Sequence, residues 1–124
     1  MKLNISNGSI SQLFVLVQQI SEVKNAIENQ EAVLVGIDET LKEFRDEANS
    51  IAVEIDRRAE LLRQGSQEGL KELLHLQWLQ QEASQKISSA ELKKAGIQTS
   101  LSLLDDELVG FQKQVDAVLQ GHKA

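Results

Sequence analysis

A repeat of apolar residues at alternating steps of three and four constrains this chain more than any other feature. One series runs Leu13, Leu16, Ile20, Val23, Ile27, Leu34, Ile37, Leu41, Phe44, Ala48, Ile51, Ile55 and Leu62. A second runs Leu73, Leu76, Ala83, Ile87, Ala90, Ile97, Leu101, Leu104, Leu108, Phe111, Val115 and Val118. Gln30 and Arg58 interrupt the first, Gln80 and Lys94 the second, and neither series contains a skip. Such spacing keeps one edge of an α-helix apolar, whereas a half-buried strand needs strict alternation. Composition agrees, because 124 residues with no proline, no tyrosine, three Phe and one Trp lack the turn and strand formers of a sheet protein. The chain is therefore predicted to be all-α, a single domain of two long heptad helices.

Boundary chemistry places the helices. Ser9 and Gln12 form a capping box, in which each side chain satisfies a backbone N–H that the first turn leaves unpaired, so the first helix spans 10–64. Gly65 supplies the left-handed stop, and Arg57, Arg58 and Arg63 sit where the helix dipole is negative. Ser66 is the expected cap of the second helix, with Glu68 in its first turn, giving a turn at 64–67 and a helix over 67–120 that ends at Gly121, His122 and Lys123. Residues 1–9 and 121–124 are expected to be flexible. Each helix would hold about 54 residues, on the order of 80 Å at 1.5 Å per residue.

A turn this short folds the helices back on one another. Centred between Gly65 and Ser66, it opposes Leu13 to Val118, Ile20 to Phe111, Ile27 to Leu104, Leu34 to Ile97, Leu41 to Ala90, Phe44 to Ile87 and Ala48 to Ala83. Loop position and heptad phase come from different residues and agree, which predicts an antiparallel two-helix coiled-coil hairpin. The competing fold, a four-helix bundle broken near Gly36 and Gly96, needs turns where the heptad continues unshifted. The four polar seam residues read as long stems covering the seam with their ends in water, and Lys94, opposite Ile37, is best placed to set register instead. Gly36 and Gly96 fall in nearly one layer, where they could soften the helices or admit a close neighbour.

Apolar residues off the seam carry the functional expectation, since a two-helix hairpin leaves them in water. Leu70, Leu74 and Trp78 recur every four residues near the turn, with Leu79 and Leu61 beside them. Toward the other end stand Phe14, Val15, Val17, Val109 and Leu119, with Leu3 and Ile5 before them. Leu70, Leu74, Trp78, Leu79, Phe14, Val17 and Leu119 are therefore the predicted partner-binding residues, covered by a second copy in a dimeric helical bundle or by helices of another protein.

Catalytic chemistry has few candidates. There is no cysteine, and the histidines are His75 and His122. The Glu72-Leu-Leu-His75 string has the spacing of di-iron carboxylate bundles, but Leu73 and Leu76 hold the inward positions, so Glu72 and His75 should face water. Consecutive residues Asp105, Asp106 and Glu107 point in different directions around a helix and read as solvated surface. Lys42 and Asp46 have the spacing of an exposed i,i+4 pair. A net charge of −6 opposes binding to phosphate backbones, so no nucleic-acid partner is expected. The early apolar run Leu13 to Val17 is too short to span a bilayer and lacks a following small-residue cleavage site, which points to a cytoplasmic protein without membrane insertion. Export without a leader would leave no mark here.

In heptad pattern and length the chain resembles helical-hairpin groups such as prefoldin-type chaperone subunits and the small hairpin accessory proteins of bacterial secretion machines. That resemblance carries over no functional residue, and the short turn has no room for the strands of prefoldin-type subunits. The function expected is non-enzymatic, with no cofactor or metal: a homodimeric chaperone or adaptor holding a helical partner, possible roles being in secretion or assembly. A structural or exported filament subunit is the alternative, and a small inhibitor or immunity-type protein the second.

Overall fold

The computed structural model describes residues 7–67 and 69–121. It is an all-α helical hairpin, with α1 over Asn7–Arg63 and α2 over Leu70–Gln120 packed against each other. Both helices run unbroken through Gly36 and Gly96, which eliminates the four-helix alternative. A side chain added at either glycine would meet nothing within 4 Å, so neither marks a close approach within the chain. Contacts nevertheless group into two units, Met1–Leu34 with Ile97–Ala124 and Val35–Gly96, whose limits fall in that same layer.

In the Val35–Gly96 unit, Leu41 is 1% exposed and is joined in the core by Ala83 and Ala90. Alanines in these layers, Ala90 opposite Leu41 and Ala83 opposite Ala48, let the backbones come together, and burying one Leu contributes roughly 1.5–3 kcal/mol. The register is visible in its cross-helix contacts. Lys94 Nζ lies 2.7 Å from Asp38 Oδ1, Arg58 pairs with Glu72, and the Lys86 ammonium stands 5.8 Å from the Phe44 ring centre. Each pair is within one residue of the layer that the turn predicts. Arg45 reaches further along α2, donating to Glu91 at 3.1 Å.

In the other unit Leu16 and Val23 are buried and the remaining seam residues half-buried. Gln30 is half-buried among them, whereas Gln80, in the Val35–Gly96 unit, is exposed. The cationic seam residues depart from the expectation of stems ending in water. Arg58 and Lys94 are held by carboxylates, Arg58 by both Glu54 and Glu72. Lys42 and Asp46 form no ion pair between them, which fits the small energy such exposed pairs supply.

The turn is longer than expected. Gly65, at φ +93°, ends α1: Ser66 N–H donates to Leu61 O at 3.1 Å and Gly65 N–H to Leu62 O at 3.0 Å, the paired bonds of a left-handed helix stop. Ser66 does not cap α2. Gly69, at φ +89°, does so with its backbone, accepting from Leu73 N–H at 2.8 Å, so α2 starts at Leu70 rather than residue 67. The reason is a second reversal of the chain that a residue with a side chain resists, together with Arg58 Nη1, which would lie 3.1 Å from a Cβ at position 69. Elsewhere Ser9 lies inside α1 rather than before it, because the helix already runs from Asn7. α2 ends at Gln120, the expected end, but Gly121 is not in the left-handed region; its N–H donates to Ala117 O at 3.0 Å. The flexibility expected for residues 1–6 and 122–124 lies outside the described residues.

Candidate protein-binding faces

Capping sets the first face. Because Gly69 accepts the opening bond of α2, Leu70 occupies its first turn and Leu74 and Trp78 follow one and two turns later on the same side. All three are exposed, Trp78 at 55% and Leu74 at 60%. Leu61, at the end of α1, is exposed as well, while Leu79 turns toward the seam and is half-buried. His75 stacks on Trp78, with ring centres 6.0 Å apart and planes 20° from parallel, which braces the indole without covering its outer face.

Beside this face lies an ionic cluster. Glu54 accepts from Arg57 Nη2 at 2.6 Å, Arg57 Nε at 3.1 Å and Arg58 Nε at 3.0 Å. The Arg57 hydrogen bond foremost, with Arg58 adding to it, holds the Glu54 carboxyl below its ordinary value against a smaller desolvation effect, and Glu54 in turn raises Arg57. Arg57, Arg58, Leu61, Ser66, Gly69 and Glu72 line an open depression of about 420 Å³. An incoming anion there would have to displace Glu54 and Glu72 from the guanidinium groups. Glu72 and His75, which share the di-iron spacing but were expected to face water, are both exposed; Arg58 engages Glu72 and Trp78 stacks on His75. Among the described residues, no three His, Cys, Asp or Glu side chains gather as a metal site requires.

The second face belongs to the other unit. Ile10, Phe14 and Val17 are spaced four and three apart, hence share one side of α1, and all are exposed, Phe14 at 70%. Val15 lies off that stripe, also exposed; on α2 of the same unit Val109 is exposed and Leu119 half-buried. Leu3 and Ile5 fall outside the described residues. The structure thus leaves Leu70, Leu74, Trp78, Phe14 and Val17 open to a partner and places Leu79 and Leu119 at the edges of the seam.

Sequence reasoning passed over Ile10, Val33, Val35, Val53, Leu92 and Leu103, all exposed. Leu92 had a readable signal: it continues at heptad spacing from Leu74 and Trp78 along the outward side of α2. Among the described residues no helix is long and apolar enough to cross a membrane. Compared with family models, curated proteins and solved structures, the chain matches none. Fold and faces together define a class, an all-α helical hairpin with uncovered apolar stripes.

Proposed function

We propose that this hairpin is a non-enzymatic protein-binding module, a chaperone or adaptor that holds a helix of another protein and associates with a second copy of itself. The observation that carries this reading is the Ile10, Phe14 and Val17 stripe, apolar and exposed on a helix whose seam is already filled. A helix laid beside it would bury three side chains at the i, i+4, i+7 positions by which amphipathic helices dock. Full burial of each contributes roughly 1.5–3 kcal/mol before the cost of association. The apolar stripe on α2 near the turn is assigned to self-association.

The test is affinity purification of partners on the full chain, followed by titration of an identified partner's helical segment. Phe14→Asp with Val17→Asp is expected to reduce binding at least tenfold while circular dichroism still shows a helical protein. Undiminished binding by a fully helical double variant would overturn the assignment.

A further inference from the structure

On the outward side of α2, between Lys71 and Ala95, six consecutive positions of a second heptad stripe carry no charge. They read Leu74, Trp78, Gln81, Gln85, Ser88, Leu92, at steps of four, three, four, three and four, and every member is exposed, Leu92 at 74%. The corresponding side of α1 sets the exposed Val35 and Val53 among charges, with Glu39, Lys42, Asp46, Asp56 and Glu60 along it. Outward positions of a hairpin are the place for charge, so an uncharged stripe ending in leucines marks a surface suited to burial.

The spacing is also a palindrome about Ala83. Reversing the stripe and laying it on itself pairs Leu74 with Leu92, Trp78 with Ser88 and Gln81 with Gln85. Size follows the same symmetry, because the indole meets the smallest side chain of the stripe, apolar ends meet apolar ends, and the two glutamines meet as reciprocal hydrogen-bond partners. A parallel arrangement instead stacks indole on indole and leaves a gap between serines. Two-fold contacts require this kind of self-complementarity.

We infer that two copies of this chain pair through the α2 stripe from Leu74 to Leu92, antiparallel, with the two-fold axis at Ala83. This deepens the self-association within the proposed function and rests on it. Glu82 flanks the axis and faces its own copy, a repulsion at a half-exposed edge that is small beside the apolar burial.

The native chain has no cysteine, so crosslinking reads the geometry directly. Leu74→Cys chains mixed with Leu92→Cys chains are expected to form a disulfide-linked heterodimer under mild oxidation. Leu74→Cys alone is expected to give none, because its two copies lie about 27 Å apart along the axis at 1.5 Å per residue, beyond disulfide reach. In sedimentation equilibrium, Gln81→Lys with Gln85→Lys is expected to weaken the dimer at least tenfold. Mixing that variant with Gln81→Glu and Gln85→Glu is expected to restore it as a heterodimer. A monomer at all concentrations, a Leu74→Cys homodimer, or a dimer untouched by the lysines overturns the inference. A lysine variant that is monomeric but still binds the partner helix supports the inference and leaves partner capture standing, whereas loss of partner binding through Phe14 and Val17 is scored separately.

Discussion

The Lys94 ammonium on α2 lies 2.7 Å from the Asp38 carboxylate on α1, at a layer where the heptad calls for an apolar residue. A charge so placed favours the register that supplies its partner over neighbouring ones that do not. Both side chains remain partly exposed, which limits the stabilisation to the range of surface pairs.

A double-mutant cycle of Asp38→Ala and Lys94→Ala is expected to give a coupling of about 0.2–1 kcal/mol in urea unfolding. Lys94→Leu should be neutral or stabilising, since it fills the seam without leaving a buried charge. A coupling above about 3 kcal/mol would mean that the pair behaves as a buried one.

Glycine positions divide by conformation. Gly65→Ala and Gly69→Ala each force a side chain into the left-handed region and are expected to cost about 1–2 kcal/mol, Gly69→Ala the more because it also crowds Arg58. Gly36→Ala should stabilise by about 0.5–1 kcal/mol, being helical with open space around it. Thermal unfolding of the three variants checks the signs, and a stabilised Gly69→Ala would contradict the turn described.

Core and outward leucines should respond very differently. Leu41→Ala is expected to cost about 2–5 kcal/mol because Leu41 is closed off from solvent, whereas Leu92→Ala should change monomer stability by less than about 0.5 kcal/mol. Chemical denaturation of each variant at low protein concentration separates the two, and equal costs would place Leu92 in the core.

Acid should act through Glu54. Its folded-state carboxyl is held below the ordinary glutamate value of 4.5, so its contribution to stability is complete above that value and is lost as pH falls through the depressed folded value. Glu54→Gln is therefore expected to flatten the acid limb of the stability profile below pH 4.5 without changing its slope at neutral pH. An unchanged acid limb would show that Arg57 and Arg58 do not hold the carboxylate in solution. Arg57 stays charged throughout this window, since its own shift is upward.

Helix type and seam membership could be read before any coordinates, because periodicity is local: each residue's direction follows from the turn of its own backbone. Of the residues assigned to the seam, Gln80 alone lies exposed, and the exposure of Leu70, Leu74, Trp78, Phe14 and Val17 follows from their places off it. The start of α2 was not legible in this way. Ser66 has the better capping side chain, a preference over glycine of about a few tenths of a kcal/mol, yet Gly69 takes the role because a second left-handed reversal and the approach of Arg58 decide where the chain can re-enter a helix. Glu54 and Arg58 stand at i,i+4 on α1, a pairing the order of residues offers, but nothing in that order told whether Arg58 and Lys94 would end in water or reach across the seam to Glu72 and Asp38. Those outcomes depend on distances between atoms remote along the chain, which exist only once the two helices have packed.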